Sequence, residues 1–352
     1  MATANNPSAI YYNPAGITQL PGLNAQLGLH IISINSTYTS PSGAEANSQF
    51  EIQGVPQGFY TYTPKDSVLS YGLGLYAPFG LGLQWDEDNP FRTAAIEGRL
   101  MFVTVNPVVA WKVHPTLSIA VGPTVNYSRI KLRQGIAAPG DEFNFKGDDF
   151  GFGFNAGVLY QPHSQWSFGA SYRYNGSINY EGSSELRPYA PRTHTTLELK
   201  FPQYVTFGAS YRPNENWNIE VNVDWTDWDI VNTPTFEGTA SGTIPLPLKW
   251  KSSFLYEIGA TRYLHNGYYV AAGYFFSGNS TTDENFTPIV PDSDLHVGSI
   301  GFGYKGEHWR WAVSGQLIAG PARDITKNVN PSVNGSYQWF NQAVNVSVGY
   351  QF

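Results

Sequence analysis

From Leu23 onward, apolar and polar residues alternate with a period of two. Across 117–131 the odd positions carry Leu117, Ile119, Val121, Pro123, Val125 and Tyr127, and the even ones Ser118, Ala120, Gly122, Thr124, Asn126 and Ser128. Across 150–160, Phe150, Phe152, Phe154, Ala156, Val158 and Tyr160 share one face, and Gly151, Gly153, Asn155 and Gly157 the other. The runs 166–174, 197–211, 217–225, 268–276 and 309–319 repeat the pattern. Such alternation predicts β-strands of about ten residues, apolar on one side and small or polar on the other.

The connections alternate in length. Short turns fall at 64–66, 114–116, 163–165, 213–216, 265–267 and 306–308. Long polar loops fall near 39–56, 78–97, 132–149, 181–194, 229–249, 278–293 and 321–341. Six short turns and seven long loops imply fourteen strands, with short turns at one rim, long loops at the other, and both chain ends at the short-turn rim. Aromatic pairs bracket the short turns: Tyr160 and Trp166, Tyr211 and Trp217, Tyr263 and Tyr268, Tyr304 and Trp309, with Trp111 preceding His114. Amphipathic rings favour the boundary between hydrocarbon and water, so this pattern predicts an interfacial girdle. The competing reading is a soluble sandwich whose core aromatics lie beside turns, but nothing in a sandwich makes them recur at one rim.

Composition narrows the class. The 352 residues include 54 aromatics (10 Trp, 23 Tyr, 21 Phe), 36 Gly and 24 Pro, and 13% are charged. A soluble domain carries roughly 25% charge. No run approaches the ~18 apolar residues of a membrane helix, and the aromatic content excludes disorder. The absence of Cys excludes disulfides, a thiolate metal site and a Cys nucleophile. A net charge of −7 argues against nucleic acid as a partner. The outward columns contain no ionisable group, where a cation at mid-bilayer would cost about 2–4 kcal/mol. Arg173, Glu198, Lys200, Glu220, Asp224, Lys251 and Glu257 have the opposite parity and are expected to line the lumen. These observations predict an all-β chain: one 14-stranded antiparallel transmembrane β-barrel with a short N-terminal plug inside it.

The plug is expected over 1–22, and the barrel with its long outer loops over 23–352. The first 44 residues carry no Asp, Glu, Lys or Arg, and Pro7, Pro14, Gly16, Pro21 and Gly22 interrupt every regular run. They have neither the basic start nor the apolar core of a secretory leader; in an exported protein such a leader would already be gone. A barrel of this width must be plugged or be a water channel.

Asn13-Pro14-Ala15-Gly16, a short spacer and the first strand together resemble the hatch motif of the FadL/TodX (OMPP1) family of outer-membrane transporters, and the stretches 76–85, 150–174 and 258–264 are similar to the same family. The resemblance implies a Gram-negative outer-membrane protein for facilitated, energy-independent uptake of long-chain fatty acids or aromatic hydrocarbons. The resemblance further implies that ligand is caught among the outer loops, held against the hatch and released sideways at a kink in the third strand. It implies gating at Asn13, Pro14, Ala15 and Gly16, and a lateral opening at Pro78 and Gly80. Only Met1–Tyr12 precedes the motif, where family members usually carry a longer segment with paired acids and this chain has Asn5-Asn6, so the hatch is expected to be reduced or cut short. The terminal alternation over 342–352, ending in Phe352, is similar to the signal read by the outer-membrane barrel-assembly machinery.

Other residues suggest roles on their own chemistry. Proline removes a ladder donor at Pro78 and glycine relaxes the backbone at Gly80, so pairing should fail there. Phe79, Leu81, Leu83 and Trp85, alternating with glycines in an expected outer loop, could form a capture groove. A ligand carboxylate would need an inward cation, for which Arg173, Lys200 and Lys251 are candidates; the alternative is a structural network with Glu198, Glu220, Asp224 and Glu257. Lys131 and Arg133 stand where lipopolysaccharide phosphates would lie. The expected partners are an apolar ligand, lipopolysaccharide and outer-membrane lipid, for a monomer without cofactor or metal, since the seven His have no ligand spacing. Gly301 to Gly306 matches a nucleotide-loop pattern but sits in a strand that leads to another strand. Two other functions compete: a water-filled porin for polar solutes, and a lipase or acyltransferase, for which His30 and His296 are the only strand histidines and neither has a motif.

Overall fold

A computed structural model describes residues 1–352. Its wall is built from fourteen antiparallel strands. The first seven are Gly22–Ile34, Glu51–Thr63, a third in two pieces (Leu69–Tyr76 and Gly80–Gln84), Glu97–His114, Leu117–Gln134, Glu142–His163 and Trp166–Tyr174. The second seven are Tyr204–Asn214, Trp217–Thr226, Ser253–Tyr263, Tyr268–Ser277, Leu295–Lys305, Trp309–Ala319 and Gly335–Gln351. Each strand pairs with the next, and the last pairs with the first from Asn24↔Gln351 to Ile32↔Ala343, which closes the cylinder. Closure leaves no free edge, as a hydrocarbon surround requires.

The alternation read from the sequence sorts the side chains as expected. Val121, Val125, Phe150, Phe152, Phe154, Val158, Ile300, Val344, Val346 and Val348 are all exposed on the outer surface. Trp111, Tyr160, Trp166, Trp217, Tyr268 and Trp309 are exposed at the short-turn rim. Tyr263 departs from this rim pattern. It stands on the inward parity of its strand and packs on Tyr269, with ring centroids 6.2 Å apart.

The expected strand over 197–211 is divided. Ala190–Lys200 ends before Phe201, and Tyr204 starts the eighth wall strand. Pro202 lies in the break, where a ladder N–H is missing. Ala190–Lys200 instead pairs with Ser177–Arg187 as a hairpin outside the wall, and that hairpin leans on the upper part of the sixth strand from Glu181↔Asp148 to Arg187↔Glu142. The region expected as an open loop at 181–194 is therefore β-structure.

The outer loops have a core of their own. Trp85, Phe91, Phe102, Phe145, Tyr180, Phe236, Phe286, Tyr337 and their neighbours form one buried apolar cluster. A second cluster lies lower in the barrel, where Ala9, Ile10, Ala15 and Ile17 pack against Phe59, Tyr76, Val108, Ala110, Ala120 and Leu159 of the wall. The N-terminal residues thus fill one side of the interior.

Candidate ligand passage

The N-terminal segment consists of one helical turn, Ala9–Tyr12, and a 3-10 turn, Pro14–Gln19. Asn13 sits between them and is fully buried. Its side-chain oxygen accepts from the Ala15 N–H at 3.2 Å, capping the second turn, and its Nδ2 donates to the Val158 carbonyl at 2.9 Å. Pro14 follows at the first helical position, where no N–H is needed. The wall makes room for this segment with glycine. A Cβ on Gly157 would come within 2.3 Å of Asn13 Oδ1, and one on Gly72 or Gly74 within 2.8 Å of Ile10. Gly16 likewise lies too close to the Ala4 carbonyl for any side chain.

Arg173 is 2% exposed and reaches inward from the seventh strand. It donates to the Tyr76 hydroxyl and, at 2.8 Å, to the Tyr11 carbonyl. The rings of Tyr11, Tyr76 and Tyr204 surround its guanidinium at 4.9, 5.0 and 5.7 Å. The cation is thus held by ring faces and neutral oxygens, with no carboxylate among them. Tyr76 donates on to Asn106 Oδ1 (2.9 Å), Asn106 Nδ2 to Asn155 Oδ1 (3.2 Å), and Asn155 Nδ2 to the Ile10 carbonyl (2.9 Å). This chain of hydrogen bonds ties the N-terminal segment to the last residue of the third strand's first piece.

The third strand breaks immediately after that residue. It pairs with the fourth strand as Tyr76↔Thr104, then resumes as Gly80↔Met101. Between these pairs the three residues Ala77-Pro78-Phe79 oppose two, Phe102 and Val103, so the third strand carries a bulge of one extra residue. The extra residue inverts the facing. Tyr71, Leu73 and Leu75 are exposed outward before the bulge, whereas beyond it Leu83 is 2% and Trp85 1% exposed, in the loop core. Phe79 packs on Phe102, Phe201 and Trp228. The ridge Phe79, Leu81, Leu83 and Trp85, expected in an exposed loop, therefore points into the molecule.

Pairing with the second strand does not resume. It runs from Tyr62↔Tyr71 to Gly58↔Leu75, and the next backbone bond is from Gln49 N–H to the Gln84 carbonyl. Over the intervening stretch the second strand has no ladder partner on this side. Side chains span the seam instead. Gln53 lies over Gly82, which has no side chain to oppose it. Above it, Arg99 of the fourth strand grips Glu51 of the second with two bonds of 2.6 and 2.8 Å.

A cavity of about 540 Å³ lies between the N-terminal segment and the wall, reaching from Tyr11 and Tyr12 to Pro78 and Phe79 and across to Tyr204, Asp224, Trp228, Leu255 and Glu257. A second, about 560 Å³, continues beside Thr3, Asn5 and Asn6 to Glu220, Tyr269, Lys305 and Arg310. Of the cations expected in the lumen, only Arg173 is there. Lys200 ends the outer hairpin and Lys251 lies in the loop before the tenth strand, both exposed, and Glu198 accompanies Lys200. For Lys200 and Glu198 the reason is the interruption at Pro202, which removes 190–200 from the wall; Lys251 simply precedes the start of its strand at Ser253. Sequence reading did not single out Tyr76, Asn106, Asn155, Tyr204 or Trp228. The available signal was an amide on lumen-facing positions of neighbouring strands, Asn106, Asn126 and Asn155, all buried.

The family model described as "Outer membrane protein transport protein (OMPP1/FadL/TodX)" matches residues 1–309. The chain is 22% identical over 404 residues to the long-chain fatty acid transport protein of Escherichia coli K12, covering 100% of this chain and 86% of that one. It is 22% identical over 340 residues to a 47 kDa outer membrane protein of Pasteurella multocida, covering 86% and 79%. Two solved structures share the fold: a Pseudomonas aeruginosa FadL homologue (TM-score 0.85, 18% identity, 99% and 94% covered) and the Pseudomonas putida toluene transporter TodX (TM-score 0.75, 16% identity, 99% and 96% covered).

Proposed function

Because the chain belongs to the OMPP1/FadL/TodX family of outer-membrane transport proteins, we propose that it passes apolar small molecules from the outer loops into the cavity beside the N-terminal hatch, and from there sideways through the seam between its second and third strands. The observation that carries this reading is the coincidence of three features: a cavity, the bulge at its edge, and a strand pair left unladdered beside it. An apolar ligand gains about 0.8 kcal/mol per buried CH₂. A chain of some fifteen methylenes would resist release into water by on the order of 12 kcal/mol. Exit directly into lipid removes that barrier.

The residues expected at the hatch, the opening and the apolar ridge have a place in this reading, as does Arg173, whereas Lys200 and Lys251 have none. Asn13, Pro14, Ala15 and Gly16 seat the hatch, and Arg173 with Tyr76 couples it to the seam. Pro78 and Gly80 flank the opening. Phe79, Leu81, Leu83 and Trp85 line the descent from the loop core rather than an outer groove. Native mass spectrometry of protein purified in several detergents tests the site. An apolar molecule is expected to co-purify and to be lost in Leu255→Trp, which fills the cavity; retention in that variant places the ligand elsewhere.

A second reading, a water-filled passage for polar solutes, draws on the lower cavity with its Gln26, Asn218, Glu220, Lys305 and Arg310 lining. An ohmic current across a planar bilayer would favour it, and a silent bilayer the first reading.

A further inference from the structure

The cavity beside the seam offers acceptors and no free cation, which restricts the head group of its ligand. Asp224 and Glu257 both line it from adjacent strands, in the register Asn222↔Glu257 and Asp224↔Leu255. Asp224 accepts one bond from the Thr206 hydroxyl, and Glu257 one from Asn222 Nδ2 at 3.0 Å. An ionised carboxylate has room for about four donors, so both retain acceptor capacity. Two further polar atoms of the lining, Asn222 Oδ1 and the Tyr204 hydroxyl, are buried without any partner. Positive charge is withheld. Arg173 does not line the cavity, and its guanidinium is covered by Tyr11 and Tyr204, which do.

We propose that this cavity selects electrically neutral apolar molecules bearing a hydroxyl donor, an alcohol or phenol on a hydrocarbon body, and rejects carboxylates, with Asp224 and Glu257 as the specificity-determining pair. The inference rests on the cavity being the ligand site. A hydroxyl would donate to the acidic pair while its body lies against Phe79, Trp228 and Leu255. A carboxylate entering the same place would lose its water, find no cation and face two like charges.

The test is a matched pair of probes, dodecan-1-ol and dodecanoate, titrated together at neutral pH into the purified protein in non-ionic detergent, with occupancy read by native mass spectrometry. The quantity is the alcohol-to-carboxylate occupancy ratio in the wild type divided by that in D224N/E257Q. Partition of each probe into detergent cancels in this quotient, and the altered mobility of the unheated barrel on gels verifies folding. The expected quotient is tenfold or more. A quotient near one, with both probes still weakened by Leu255→Trp, overturns the selectivity and leaves the cavity as the site. Binding of neither probe, or binding insensitive to Leu255→Trp, overturns both.

Discussion

Two seams of the same cylinder are built differently. Where the last strand meets the first, nine consecutive residue pairs run without a break from Asn24↔Gln351 to Ile32↔Ala343. Where the second meets the third, five pairs end at Gly58↔Leu75, and side chains take over. Both seams must be closed against lipid, where an unpaired peptide group costs several kcal/mol. The continuous seam meets that demand with backbone. At the broken one, contacts between side chains stand where the ladder stops: Gln53 lies over Gly82, and Arg99 grips Glu51. A backbone ladder can open only by unfolding a strand, whereas side chains can move by rotating. The break also begins beside Tyr76, the residue that Arg173 and Asn106 connect to the N-terminal segment.

The largest expected effect comes from locking the broken seam. The chain has no cysteine, so Gln53→Cys with Gly82→Cys can be bridged by a short thiol-reactive linker without background. Uptake of an apolar probe by cells should fall more than tenfold, whereas the same linker between Leu27→Cys and Val348→Cys, partners across the continuous seam, should leave uptake unchanged. Equal loss in both would erase the distinction between the seams. Next comes Arg173→Met. Hydrogen bonds to a charged group are worth roughly 1.5–3 kcal/mol each, so a drop of about 3 kcal/mol is expected in the unfolding free energy. Faster hydrogen exchange should appear at both 9–19 and 76–84, and exchange confined to 9–19 would show that the two are uncoupled.

A smaller effect is expected of Asn13→Ala, which removes a buried cap worth about 1 kcal/mol. The amide of Ala15 should lose protection while the seam at 80–84 stays as it was. Smaller again is Arg99→Ala, because a half-exposed ion pair contributes at most about 1 kcal/mol. Spin labels placed across the broken seam should report a broader distance distribution, with none of this at the continuous seam. The smallest effect lies away from both. Asp141 is opposed by burial, but the N–H groups of Ala138, Ile136 and Ala137 and the Arg92 guanidinium hold its carboxyl well below the usual range. A carboxyl depressed in the folded state contributes stability above its unfolded value and loses it only as pH falls through the folded one. Amides 136–138 should therefore remain protected near pH 4, and Asp141→Asn should expose them at every pH without altering either seam.

Much of the site was legible in part. Asn13-Pro14 announced a capped turn, and Pro78 announced trouble for the ladder. Arg173 was recognisable as inward from its parity alone. Lys200 carries the same kind of signature and misleads, because parity assigns a face only while the strand remains in the wall, and Pro202 ends that. The acidic pair Asp224 and Glu257 was assigned to the lumen from the sequence, but the cavity between them and the N-terminal segment was not visible there.

Alternation, turn chemistry and aromatic placement determined the strand number, the lipid-facing columns and the rim at which the chain starts and ends. They did so because a membrane wall imposes one rule, apolar outside, on every strand independently. Tertiary structure alone decided which way Phe79, Leu81, Leu83 and Trp85 face, and where the ladder stops. A single extra residue reverses the parity of everything after it, and a residue is extra only with respect to the strand it fails to match.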